Sequence, residues 1–297
     1  MRGVAYYPEQ WDASLLEKDL DRIVVPGCDT VRIGEFCWHI MEKEEEKYDF
    51  SFFDKVIEEA KKRGLKIIFG TPTATAPAWL VKRYPEVVSK FENGQVRAYG
   101  GRHTCCYSSE IYFDRSRRIV RKLAEHYRDE KAIIAWQIDN ELGHEGSDVR
   151  WCEKCVTGFR AWLKEKYGYI AKLNEVYGTV FRSQQYNSFE EIPAPSATVT
   201  VHNPSLRLDW VRFCSDKIEK FAAMQVEVLK SVIPSAKVIH DFSGGGLQRN
   251  VDFVKIAALI DKTAYNNYPV WGGQRRPLPP SRYFLRRRSG LLRQIFY

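Results

Sequence analysis

Trp136-Gln137-Ile138-Asp139-Asn140-Glu141 runs from an apolar strand straight into three polar side chains, two of them acidic. At the C-terminal end of a barrel strand such side chains face the active site. Cleaving a glycosidic bond takes a carboxylic acid beside the leaving oxygen and a second carboxylate at the sugar carbon. Glu141 suits the first role, and Asn140 can hydrogen-bond a hydroxyl beside the reacting carbon. The same acids also suit the first turn of a following helix, because negative charge is favoured there. Spacing alone leaves both readings open. A second constellation joins Cys106, with Cys105 beside it, to Cys152-Glu153-Lys154-Cys155. Two thiolates spaced as CxxC can grip one face of a tetrahedral zinc; reduced cysteines without metal are the alternative. Cys28, Cys37 and Cys214 stand among apolar residues and read as core. The six histidines form no HExxH-like pattern, so no catalytic metal is expected.

The elements that must carry these residues alternate strand and helix, the rhythm of parallel βαβ units. Strands are expected at Gly3 to Tyr7, Thr30 to Ile33, Leu65 to Phe69, Ala132 to Ile138, Val238 to His240 and Thr263 to Asn266. Helices are expected at Leu15 to Val25, Phe52 to Arg63 with Gly64 as its stop, Pro77 to Arg83, Ile111 to Arg128, Leu206 to Val232 and Val251 to Ile260. Asn93-Gly94 marks a hairpin within Val88 to Ala98. Residues 143 to 205 read as an insertion holding the CxxC and two helices that end at Tyr-Gly. This gives an α/β fold on a TIM (β/α)₈ barrel plan, incomplete, with about six of eight βα units. After Trp271-Gly272-Gly273 the pattern breaks.

Composition bounds the function classes. At 44% hydrophobic and 13% aromatic the 297 residues can fill a core, and a single barrel takes ~250 residues. No apolar run reaches the ~18 residues of a membrane span. The start, MRGVAYYPEQW, lacks the apolar region of a signal peptide, so a cytoplasmic protein with reduced thiols is expected. The net charge of +8 suggests nucleic acid, but its location argues against that. Residues 275–297 hold seven arginines and no acid; without them 39 basic residues face 38 acidic ones. The excess belongs to one segment, and neither a nucleic-acid nor a membrane partner is expected.

Several stretches together resemble glycoside hydrolase family 42, the β-galactosidases. They are Ala5-Tyr6-Tyr7-Pro8-Glu9-Gln10-Trp11, Val31-Arg32-Ile33-Gly34-Glu35-Phe36, Tyr48-Asp49-Phe50, Thr71-Pro72-Thr73-Ala74, Pro77-Ala78-Trp79-Leu80 and Trp136 to Glu141. The resemblance covers roughly residues 1 to 280, read as the catalytic barrel domain, with 281 to 297 as a basic tail of different character. It implies retaining hydrolysis of terminal β-D-galactosides, with Glu141 as proton donor and then base, and Arg102 and Asn140 as the substrate-binding pair. It also implies a structural zinc on Cys106, Cys152 and Cys155, with Arg150 where the family has a further cysteine, and a homotrimeric full-length enzyme. The family's nucleophile is a glutamate at the end of the seventh strand, whereas this sequence has no Asp or Glu after Asp261. A shifted reading frame near Pro280 is the expectation, and hydrolysis by the chain as written is expected to be impaired. A non-catalytic sugar-binding fragment and another retaining β-glycosidase are the alternatives. Arg32 and Glu35 end the second strand, where they either position sugar or pair with each other.

Overall fold

The computed structural model describes residues 1–144, 146–244 and 250–266. The break after Trp271-Gly272-Gly273 and the basic tail at 281–297 lie outside these residues. Six strands form one sheet: β1 (Gly3–Ala5), β2 (Thr30–Ile33), β3 (Lys66–Gly70), β4 (Ile133–Gln137), β5 (Val238–Phe242) and β6 (Lys262–Tyr265). They pair in chain order, all parallel. Among the described residues neither β1 nor β6 has a second neighbour. The result is a partial barrel, with β1 and β6 at its edges.

The helices are α1 (Leu16–Val24), α2 (Ser51–Lys62), α3 (Ala78–Arg83), α4 (Glu110–His126), α5 (Glu153–Tyr167), α6 (Ile170–Tyr177), α7 (Pro204–Val232) and α8 (Phe253–Leu259). Their ends follow local chemistry. Ser109 caps α4 by accepting from the Tyr112 amide, and Asn203 caps α7 by accepting from Ser205 and Leu206, with Pro204 in the first turn. Both Tyr-Gly signals end helices: Gly168 follows α5, and Gly178 follows α6 in the left-handed conformation.

Strand alternation sorts the core. Val31, Ile33, Ile67, Phe69, Trp136, Val238 and Phe242 face outward into one large cluster shared with the helices. Ile68, Ala135 and Ile239 form a separate small cluster on the opposite, inner face of β3, β4 and β5. Arg32 pairs in register with Ile68, so it shares that inner face. A second core, around Phe159, Trp210 and Phe213, packs α5, α6 and α7 on one another.

Two features differ from the expectation. A one-turn helix at Trp38–Met41 and a small ribbon of Glu42–Glu44 against Lys47–Tyr48 fill a region where no element was expected. One anchor is local and one tertiary: Trp38 Nε1 donates to Glu42 Oε2, four residues on, at 2.7 Å, and Trp79 Nε1 donates to the Glu42 carbonyl, 37 residues back, at 2.9 Å. The Asn93-Gly94 hairpin is reduced to one antiparallel bridge, Lys90 with Val96, because Val88 pairs with Cys105 instead.

Candidate active site

The end of β4 delivers Asp139, Asn140 and Glu141 through an irregular turn rather than a helix start. Glu141 has φ 45° and Asp139 φ 51°, both left-handed, and His103 across from them has φ 55°. These are three of the six described non-glycine residues with positive φ. Each such residue costs about 1–3 kcal/mol, and such conformations cluster at functional sites. Gly143 completes the turn at φ 84°, where any Cβ would overlap Val251. The helix-capping alternative for the two acids is thereby set aside: the next helix, α5, begins at Glu153.

Arg102, Asn140 and Glu141 form one cluster. Arg102 Nη1 lies 3.1 Å from Glu141 Oε2. With the Asn140 amide oriented to satisfy both ends, its oxygen accepts from Arg102 Nη1 at 2.8 Å and its nitrogen donates to Asp241 Oδ2 at 3.0 Å. Glu141 is 6% exposed, so its carboxyl is largely screened from water yet reachable. Asn266, at the end of β6, donates through Nδ2 to Glu141 Oε1 at 2.7 Å and to Asp241 Oδ2 at 3.0 Å.

Asp241 is the residue that sequence reading missed. It lies on β5, fully buried, and its Oδ1 accepts the Glu141 backbone amide at 3.1 Å. The signal was present: an acid in the inner-facing register of a barrel strand, two residues after Ile239. The expected fifth strand ends at His240, one residue before Asp241 and two short of its actual end at Phe242. Asp241 thus joins Glu35 as a further carboxylate near the site. Neither Glu35 nor Asp241 is open to a ligand. Glu35 is fully buried, and its Oε1 lies 3.0 Å from Arg32 Nε. Arg32 Nη1 reaches Asp241 Oδ2 at 3.2 Å and Gln137 Oε1 at 3.0 Å, and Nη2 reaches the Tyr7 hydroxyl at 3.3 Å. Burial opposes the Arg32 charge, but Glu35 and Asp241 raise its pKa above the ordinary value. Pairing, the second reading of Arg32 and Glu35, is what the geometry contains.

Behind the turn, Asp139 is fully buried. Its Oδ1 accepts from His103 Nε2 at 3.0 Å and from the Asn140 amide at 2.8 Å. Its Oδ2 accepts from the Thr73 hydroxyl at 2.5 Å. Burial pushes its carboxyl up, yet the hydrogen bond and charge of His103, then Thr73 and the Asn140 amide, hold it below the usual aspartate value.

Cys106, Cys152 and Cys155 are buried with their Sγ atoms within 4.8 Å of one another, a group that can hold a metal ion. Hydrogen bonds with Cys106 and Cys152 draw the Cys155 thiol down, while bonds with Cys152 and Cys155 raise Cys106. A thiol predisposed to ionise is what a thiophilic cation requires. Cys105 does not join them. Neighbouring residues of extended chain point to opposite sides, and Cys105 packs into the large core while Cys106 faces the second one. Arg150 lies beside the cluster, close enough for Cys106 and Cys155 to act on its charge, but its guanidinium is engaged elsewhere: it donates to the Ser147 and His103 carbonyls and stacks on the Tyr107 ring, 3.9 Å from its centroid.

The sequence profile of glycoside hydrolase family 42, described as β-galactosidase, matches residues 5–296, the arginine-rich segment included. A β-galactosidase of Thermus thermophilus is 40% identical over 290 residues, which is 98% of this chain and 45% of that protein. The crystal structure of a β-galactosidase from the psychrophilic Marinomonas ef1 superposes with a TM-score of 0.87 at 38% identity, over 91% of this chain and 41% of that one. The β-galactosidase of the haloarchaeon Halorubrum lacusprofundi gives 0.86 at 34% identity, over 91% and 40%. This chain therefore spans less than half the length of these relatives. It belongs to glycoside hydrolase family 42.

Proposed function

We propose that these residues carry the acid/base half of a retaining β-galactosidase that acts on terminal non-reducing β-D-galactosides. The observation that carries the reading is Arg102 Nη1 meeting both Glu141 Oε2 at 3.1 Å and Asn140 Oδ1 at 2.8 Å. Glu141 donates its proton to the glycosidic oxygen as the bond breaks, then takes a proton from the incoming water. The Arg102 guanidinium offers a fork of donors to adjacent hydroxyls, and Asn140 offers one donor and one acceptor. The second carboxylate of a retaining pair must sit ~5–5.5 Å away. The Asn266 amide bridges Glu141 and Asp241, so those two carboxylates are near neighbours, but Asp241 is fully buried and its oxygens already accept other donors. With no Asp or Glu after Asp261 in the sequence, sugar binding without turnover is the reading for residues 1–297 alone.

Zinc is the cation we propose for Cys106, Cys152 and Cys155, in a structural role. Three thiolate ligands suit it, and the fourth position then falls to water or a neighbouring hydroxyl. All seven cysteines are free, which supports a reducing compartment, the cytosol. No helix among the described residues is long and apolar enough to cross a membrane.

Calorimetry with iminosugars, whose protonated ring nitrogen pairs with a carboxylate, tests the site. The galactose-configured compound should bind residues 1–297 more tightly than the glucose-configured one. Glu141→Gln should weaken it about tenfold or more, the worth of a charge-assisted hydrogen bond. Equal affinity for both configurations would remove the galactoside assignment, and an unaffected Glu141→Gln variant would remove the acid/base role.

A further inference from the structure

We propose that His103 and Asp139 are positioning residues, a buried pair that fixes the loop carrying Arg102 to the turn carrying Asn140 and Glu141. The inference rests on the site reading above and goes beyond it. Arg102 and His103 are consecutive, as are Asp139, Asn140 and Glu141. One atom, Asp139 Oδ1, accepts both from His103 Nε2 at 3.0 Å and from the Asn140 amide at 2.8 Å. A single carboxylate oxygen therefore sets the distance between the two segments and the orientation of the peptide that leads into Glu141. Thr73, from the loop after β3, fixes the other oxygen at 2.5 Å, and the Thr71 hydroxyl accepts the Asp139 amide at 2.7 Å.

His103 is held in turn. Its amide donates to the Ala74 carbonyl at 2.8 Å, and its own carbonyl accepts from Arg150 Nη2 at 3.4 Å. Both side chains of the pair are essentially inaccessible, at 1% and 0%. Burying a hydrogen-bonded polar pair is a poor device for stability, since apolar residues of similar volume often do as well or better. An apolar pair could not hold Asp139 at φ 51° or present an acceptor to the Asn140 amide. What the pair supplies is geometry, and catalytic constellations need their parts held within about 0.5 Å.

The test uses residues 1–297, the galactose-configured iminosugar and two variants. His103→Ala should weaken binding about 10-fold to 100-fold, the cost of misplacing a site by about an ångström. His103→Gln, whose amide can still donate to Asp139, should recover affinity to within about threefold of wild type. A crystal structure of His103→Ala should show Arg102 and Glu141 parted beyond hydrogen-bond distance. An intact Arg102–Glu141 contact with wild-type affinity overturns the proposal. If His103→Ala does not fold, the imidazole N–H signal of His103 in wild-type protein decides. It should be downfield and slowly exchanging, and should shift on saturation with the iminosugar; an unshifted signal overturns the proposal. Failure of wild-type protein to bind the iminosugar would instead defeat the galactoside reading, leaving the parted contact in His103→Ala as the measure of positioning.

Discussion

Asp139 carries its charge where burial alone would remove it. The surrounding donors reverse that tendency and hold its carboxyl below the usual range. A folded-state pKa below the unfolded one means that the ionised group favours the folded state above the unfolded value, about 3.9. The contribution is lost as pH falls through the lower folded value. Asp139→Asn keeps the shape and removes the charge, and should cost about 1.5–3 kcal/mol near neutrality, the range for hydrogen bonds to a charged group. Thermal melts across pH check this: the gap between wild type and Asp139→Asn should be widest near pH 7 and should close progressively below about pH 4. A gap that persists unchanged into acid would mean that Asp139 is not ionised in the folded protein. At this scale the sequence was informative where chemistry is local. Asn140 and Glu141 stand together at the end of a strand, and Arg102 could be named through resemblance. The register of Asp241 and Asn266 was readable, but their contacts with Glu141 were not, because those link positions 100 and 125 apart in the chain.

The strands are the elements that make the site, and they were legible because short, nearly continuous apolar runs alternating with helical patterns are local signals of buried parallel strands. Their ends were less so: β5 runs two residues past the expected His240, and those two include Asp241. The ribbon at Glu42–Glu44 could not be read, since one of its anchoring indoles, Trp79, comes from 37 residues further along the chain. The cysteine cluster shows the same division. CxxC is visible in sequence, but which neighbour of Cys106 turns toward it is decided by packing. The cluster ties the segment at Cys106 to the start of α5, where Cys152 is the N-cap and Cys155 lies in the first turn. If zinc occupies it, protein purified without chelator should carry about one equivalent, as a structural site does. Adding a strong chelator should then lower the melting temperature, while iminosugar affinity measured well below the melt changes little. Metal analysis that finds no zinc would leave three reduced thiols as a packed core.

At the scale of the whole molecule, the six parallel strands were expected and are present, and the sheet they form is open among the described residues. β6 is mostly exposed along its length, unlike β2 and β5, which are buried throughout. Unpaired strand edges invite association, so residues 1–297 expressed alone should be prone to aggregate. The same openness bears on chemistry. A glycosyl-enzyme forms on a carboxylate that can reach the sugar carbon. Glu35 and Asp241 are spent on Arg32, and Asp139 on His103. Residues 1–297 should therefore bind galactose-configured ligands and fail to hydrolyse them. The measurement is an aryl β-galactoside assay on that polypeptide, made in a host lacking its own galactosidase, against a mock-purified control from the same host. An activated aryl leaving group needs little protonation, so it gives any second carboxylate its best chance to act without help from Glu141. Turnover no higher than the control is the expected result. Turnover well above it would mean that one of the buried acids comes free of its partner when sugar binds. Asp241→Asn and Glu35→Gln would then identify which, because only the variant lacking the attacking group should fall back to the control.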